Sequence, residues 1–161
     1  MGASSVPQHP PARAIDVSTL VRRKALHLGQ PGHRWLARLP DLVAELQHEW
    51  SLTLLEPLTG GSASSVVRVR TADDRDAVLK LPVPSADVAS QVRTLGSARG
   101  QGYVHLLAHN PARHAMLLES LGPSLDQLGW LPERAIDVLC HTLRQAWRVH
   151  KLPHPRTRPK R

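Results

Sequence analysis

One stretch limits the possible folds more than any other: SLTLLEPLTGGSASSVVRVRTADDRDAVLKLP, residues 51–82. Leu52 and Leu54 alternate before Pro57, residues 65–70 are rich in valine, and AVLKL is a short apolar run. Each reads as a strand. Parallel neighbours need a crossover of about a dozen residues or more, and the connections here are the short turns TGGSAS and ADDRD. The three strands must therefore form an antiparallel meander, with TGGSAS as its first turn.

Helical periodicity flanks the meander. Trp35, Leu39, Leu42 with Val43, Leu46 and Trp50 recur at three- to four-residue steps, which predicts an amphipathic helix of about three turns with Pro40 in the first. A second helix is expected over residues 85–95, with Val88, Val92 and Leu95 on one face and Gly96, Gly100 and Gly102 marking its end. Two further strands, 103–108 and 114–119, are separated by the turn HNPAR, and a helical turn follows at 125–128. A last helix begins at Pro132, carries Ile136, Leu139 with Cys140, Leu143 and Trp147, and ends near His150, because KLPHPRTRPKR cannot continue it. The order is helix, three strands, helix, two strands, linker, helix.

The division that follows is a basic Pro/Ser/Gly-rich extension over residues 1–34, mostly flexible with a short helix conceivable at 17–28, and order from about Trp35. A sheet-bearing unit fills 35–122, a linker and the last helix 123–150, and a basic disordered tail 151–161. With 161 residues and 41% hydrophobic content but no phenylalanine, the core must be built from Leu, Val, Ala and the four Trp.

Net charge is +8, which invites a nucleic-acid reading until it is divided. Residues 1–34 carry five Lys/Arg against one acid, residues 148–161 six against none, and residues 35–147 ten against twelve. The body is mildly acidic and the ends are basic. No aromatic interleaving or groove-reading motif accompanies those ends, so nucleic acid is an unfavoured partner. Cys140, the one cysteine, cannot form an internal disulfide and reads as a small core residue on a helix face. The N-terminus lacks a signal-peptide run, and no segment approaches ~20 apolar residues, so no membrane partner and a cytoplasmic location are expected. The ten histidines are scattered without metal-ligand spacing.

Two features carry possible chemistry. Gly60, Gly61, Ser62 and Ser64 lie in a turn between strands, where absent side chains let backbone N–H groups approach a phosphate and hydroxyls can add donors. The alternative is an ordinary glycine-rich hairpin turn. Lys80 interrupts an apolar strand and is the only lysine between Lys24 and Lys151. It is either a phosphate-contacting cation or an edge lysine whose stem snorkels.

The blocks WLARLPDLVAELQHEWSLTLLEPLTGGSASSVVRV, AVLKLP, GYVHLLAHNPARHAMLLESLGP and TLRQAW, in that order over about residues 35–149, resemble the aminoglycoside and hydroxyurea resistance kinases of the streptomycin 6-phosphotransferase type. The resemblance implies an α+β fold: a protein-kinase-like small lobe, with a five-stranded antiparallel sheet and an inserted helix, preceded by a helix and followed by one long helix of the large lobe. It implies that Lys80 contacts the α- and β-phosphates of ATP. Gln91 stands where the family has the glutamate that pairs with this lysine, and a neutral acceptor roughly halves that interaction. Asp87 would compensate in part, or else serve as a charge at the helix N-terminus. Backbone groups near Glu119 and Leu121 would read the adenine edge.

The implied function is ATP-dependent phosphorylation of an alcohol group on an aminoglycoside-like antibiotic. Such transfer needs a catalytic-loop aspartate and an Asn/Asp pair for magnesium. No HGD-type motif occurs, the only asparagine is Asn110, and the acids after Asp126 are Glu133 and Asp137. No catalytic or metal-binding residue is therefore assigned, Mg2+ is expected only if a further catalytic lobe is supplied, and the chain is expected to be truncated and inactive alone. A non-catalytic nucleotide-binding or partner-docking module is the alternative, and weak nucleic-acid binding through the basic ends a further one. Leu143 and Trp147 are expected to be exposed, which would favour self-association.

Overall fold

The computed structural model describes residues 17–59 and 61–150. Helices α1 (Thr19–His27) and α2 (Gln30–Glu49) precede strands β1 (Thr53–Pro57), β2 (Ser64–Arg70) and β3 (Asp76–Pro82). Helix α3 (Val88–Ala98), strands β4 (Leu106–Asn110) and β5 (Ala115–Glu119), a 3-10 turn (Leu125–Leu128) and helix α4 (Pro132–His150) follow. The strands form one five-stranded sheet in the order β1-β2-β3-β5-β4, and each neighbouring pair is antiparallel. This is the α+β arrangement of a kinase-like small lobe.

Strand alternation sorts side chains onto two faces of the sheet. Val67, Val69, Ala77, Leu79, Leu81, Ala115 and Leu117 point to one face and pack with Val21 and Ala25 of α1 and with Leu39, Val43 and Leu46 of α2. Val78, Met116 and Leu118 point to the other and pack with Val88, Val92 and Leu95 of α3. Lys80 shares the parity of Val78, so it lies on the α3 face while its neighbours Leu79 and Leu81 are buried beneath α2.

Several boundaries differ from expectation. Order begins before Trp35: Val17, Val21 and Ala25 belong to the main core, and α2 starts at Gln30. Ser18 caps α1, its Oγ accepting the Val21 N–H at 3.4 Å. The two helices pack so closely that a Cβ on buried Gly32 would overlap the backbone carbonyl of Ala25. Pro31, not Pro40, occupies the first turn of α2. Pro40 sits inside the helix at an exposed position.

Helix α3 starts at Val88, because Asp87 Oδ1 accepts the Ser90 N–H at 2.9 Å and so caps it. It runs through Gly96 and ends at Arg99, whose left-handed φ of 46° closes the last turn. The tryptophans do not form the core: Trp35 and Trp50 are half-buried against it, and Trp147 is 63% exposed. Cys140 is likewise exposed, because the outer stripe of α4 has no covering element among the described residues. That stripe includes Ile136, Leu139, Leu143 and Trp147. Its inner face buries Ala146 and Val149 and meets the backbone of Gly102. The extension 1–16 and the tail 151–161 lie outside the described residues, as does Gly60. Among the described residues no helix is long and apolar enough to cross a membrane.

Candidate functional site

The register of the sheet lays out the α3 face in two rows. Val66, Lys80, Met116 and His109 are aligned across β2, β3, β5 and β4, and Arg68, Val78, Leu118 and Leu106 form the next such row. The rows are two residues apart along β2, β3 and β5, about 7 Å, and three along β4, where the register shifts between Leu106 and Ala108. The first contains a lysine between apolar neighbours, and the second begins with an arginine and ends in aliphatic side chains.

Lys80 is half-buried, and its Nζ donates to Gln91 Oε1 at 3.1 Å. Burial holds its pKa below the ordinary lysine value, because a low-dielectric surrounding disfavours the charged form. Asp87, the carboxylate nearest in sequence to Gln91 on α3, is engaged as the helix cap. The ammonium is thus oriented by a neutral amide, as the sequence predicts for Gln91. A cavity of about 460 Å³ opens beside the pair, lined by Ser90, Thr94, Leu95, Tyr103, Val104 and Leu118.

A slot of about 780 Å³ adjoins it, with Val104 and Leu118 as shared walls. Thr59, Arg68, Val78, Glu119, Leu121 and Gln127 are among its lining residues. Lys80 and Gln91 face one chamber, Glu119 and Leu121 face the other, and the two chambers with their shared walls Val104 and Leu118 make up the cleft. Another cavity, about 590 Å³ between α2 and the β4–β5 turn, is lined by residues such as Trp35, Arg38 and Arg113 and shares none with the cleft.

Strand β5 enters the slot under tight control. The Glu119 N–H donates to the His105 carbonyl at 3.0 Å, and its carboxylate accepts the His105 N–H at 2.7 Å. The side chain of Glu119 therefore ties the segment to the approach of β4. Leu121 is 65% exposed at the rim.

The glycine turn is held from both ends. Leu58 N–H donates to the Val66 carbonyl at 2.8 Å, and Val83 N–H to the Ala63 carbonyl at 3.0 Å. Ser18 Oγ donates to the Gly61 carbonyl at 3.3 Å, so the residue that caps α1 also steadies the turn. Ser64 opens β2 opposite Pro82, and Ser62 is exposed. Gly61, Ser62 and Ser64 line neither chamber; among the described residues of the turn, Thr59 lines the slot.

Sequence reasoning missed Ser18, Arg68, Val78, Val104 and Leu118. The signal for Val78 and Arg68 was present in the period of two counted back from Lys80 and carried across the register. Ser18 had no such signal, since its contact spans 43 residues. Asn110 is no metal ligand in waiting: its amide donates to both Glu49 carboxylate oxygens at 2.9 and 3.1 Å, and its Oδ1 accepts the Arg113 N–H at 3.0 Å. Among the described residues no three His, Cys, Asp or Glu side chains gather in a metal-holding group.

The family model described as aminoglycoside/hydroxyurea antibiotic resistance kinase matches residues 49–161. A streptomycin 6-kinase of Streptomyces glaucescens is 41% identical over 96 residues, covering 60% of this chain and 31% of that protein. A second, from Streptomyces griseus, is 35% identical over 128 residues, covering 79% and 41%. A hydroxyurea phosphotransferase of Kitasatospora aureofaciens is 33% identical over 102 residues, covering 63% and 30%. The chain spans between 30% and 41% of the length of these relatives.

Proposed function

The chain belongs to the aminoglycoside/hydroxyurea antibiotic resistance kinase family, and on that premise we propose that it binds ATP in the cleft between Lys80 and the segment at Glu119. The purine would lie in the slot over Val78 and Leu118, its edge toward the backbone between Glu119 and Leu121. The phosphates would extend toward Lys80 and the glycine turn. One observation carries this reading: Lys80 Nζ, flanked in its row by Val66 and Met116, is aimed into the cleft by Gln91 at 3.1 Å. A snorkelling edge lysine would extend its ammonium into water instead.

The reaction proposed for the family is ATP-dependent phosphorylation of an alcohol group on an aminoglycoside-like antibiotic, a reading supported by relatives named streptomycin 6-kinase and hydroxyurea phosphotransferase. Positioning and electrostatic stabilisation supply nearly all of that catalysis. The sequence holds no HGD-type motif, and Asn110 is engaged with Glu49 and Arg113. The side chains present thus do not fit a magnesium site, and no step is assigned to the metal. We therefore propose nucleotide binding without transfer for this chain by itself, in a cytoplasmic setting, with the outer stripe of α4 as its surface for self-association.

Isothermal titration of the 161-residue chain with ATP, beside Lys80→Ala, tests the reading. Binding by the parent and a loss of ten-fold or more in the variant are expected. Equal binding by both, or by neither, overturns it.

A further inference from the structure

Arg68 has no role in the reading above, yet it occupies the slot wall on the β2 side. Its register partner is Val78, and Val78 in turn aligns with Leu118. A flat ligand lying over Val78 and Leu118 therefore meets Arg68 at one flank, about 7 Å along the strand from the Lys80 row.

Arg68 is held differently from two other arginines of the sheet and its turns. Arg70 donates from Nε at 3.2 Å and Nη2 at 3.0 Å to Asp76 Oδ1. Arg113 donates from Nε to Glu45 at 2.7 Å and from Nη1 to Glu49 at 2.8 Å. Both guanidinium groups are fixed by two directed bonds. Arg68 Nε lies 3.0 Å from Glu56 Oε1, but its N–H is not directed at that oxygen and makes no hydrogen bond. This contact is one of charge alone. It draws the guanidinium to the sheet without pinning its plane, and the side chain stays 37% exposed.

A planar, weakly hydrated cation beside the apolar ground of Val78 and Leu118 suits the face of an aromatic ring. We propose that Arg68 stacks on the nucleobase, and so makes the cleft select a nucleoside triphosphate over a bare polyphosphate. This rests on the nucleotide reading above. Lys80 then recognises phosphate and Arg68 the base, from adjacent rows of one sheet face.

The test uses the 161-residue chain and two probes, ATP and inorganic tripolyphosphate, titrated calorimetrically. Arg68→Met keeps an unbranched stem and removes the cation. It is expected to weaken ATP about three- to ten-fold, the range of a partly desolvated cation–π contact, and to leave tripolyphosphate within two-fold. Arg68→Lys keeps charge and stem, guards against a folding defect, and is expected to fall between the parent and Arg68→Met for ATP. Lys80→Ala should weaken both probes. Equal losses for both probes in Arg68→Met would make Arg68 part of the general positive field and overturn the proposal, while the nucleotide reading stands. Unchanged ATP binding in Arg68→Met overturns it in the same way. Absence of ATP binding by the parent chain overturns both readings.

Discussion

The two faces of the sheet are built to different standards. Under α1 and α2 the face is sealed: Leu39, Val43 and Leu46 meet Val67, Val69, Leu79 and Leu81, all buried. Under α3 the cover is partial. That helix buries only Val88 and Ala98, and beside it the face opens into the cleft with Lys80 and Arg68 on its wall. A closed apolar layer tolerates no polar group without a partner. A face that is left open can hold cations at fixed positions because water or a ligand completes their solvation. Stability is lodged on one side of the sheet, and the cleft proposed for recognition lies on the other.

Truncating the sealed face gives the largest effect. Leu46→Ala, at a fully buried position, should lower stability by about 2–5 kcal/mol, the loss of transfer energy plus a cavity. Leu95→Ala, on half-buried α3 ground, should cost about half as much or less. Urea unfolding of the two variants measures the contrast, and equal losses would break the distinction between the faces. Gly32→Ala comes next. The new Cβ would overlap the Ala25 carbonyl, so α1 must shift, at a cost of about 1–3 kcal/mol. Because Ser18 at the start of α1 also holds the Gly61 carbonyl, the same variant should speed proteolysis near the glycine turn.

On the open side, Gly96→Ala should stabilise. Gly96 is inside α3, and nothing lies within 4 Å of where a Cβ would stand. Replacing glycine in a helix interior gains about 0.8–1 kcal/mol. Thermal unfolding checks the gain, and ATP titration checks that Lys80 and Gln91 are undisturbed. A loss of stability would mean that α3 is packed more tightly than its exposure indicates.

Local pattern carried most of the fold. The three-strand meander, the helix after it and the start of α4 at Pro132 were legible because alternation, helical spacing and proline act over a few residues. Gln91 was found as the partner of Lys80 because it stands where the resembled family has the pairing glutamate, a place that three- and four-residue steps put on the sheet side of α3. What escaped was set by distance or by competition. The core role of Val17, Val21 and Ala25 depends on a sheet that begins more than twenty-five residues later, and their Pro/Ser/Gly-rich surroundings read as an extension. Pro40 was assigned to a first turn because a proline in a helix interior is disfavoured, and Pro31, which takes that place, was not weighed. Arg68 escaped because a strand arginine between buried valines is, to a sequence, only a solvated side chain.

The smallest effect is the sharpest probe of the open face, because it concerns a group that is only half-buried. Lys80 has a pKa held below the ordinary lysine value by burial. The folded state therefore releases its proton at lower pH than the unfolded chain does. Between the two values the unfolded state binds more protons, so stability rises with pH across that alkaline window and the burial penalty is fully present below it. The difference in stability between the parent and Lys80→Met should follow this course: the variant, without the penalty, is relatively favoured at neutral pH, and the advantage shrinks as Lys80 loses its charge. Gln91→Glu reverses the local balance, since a carboxylate within bonding reach favours the ammonium and raises its pKa. Its alkaline slope should be flatter than the parent's. A slope as steep as the parent's would mean that the two side chains do not meet as the 3.1 Å contact requires.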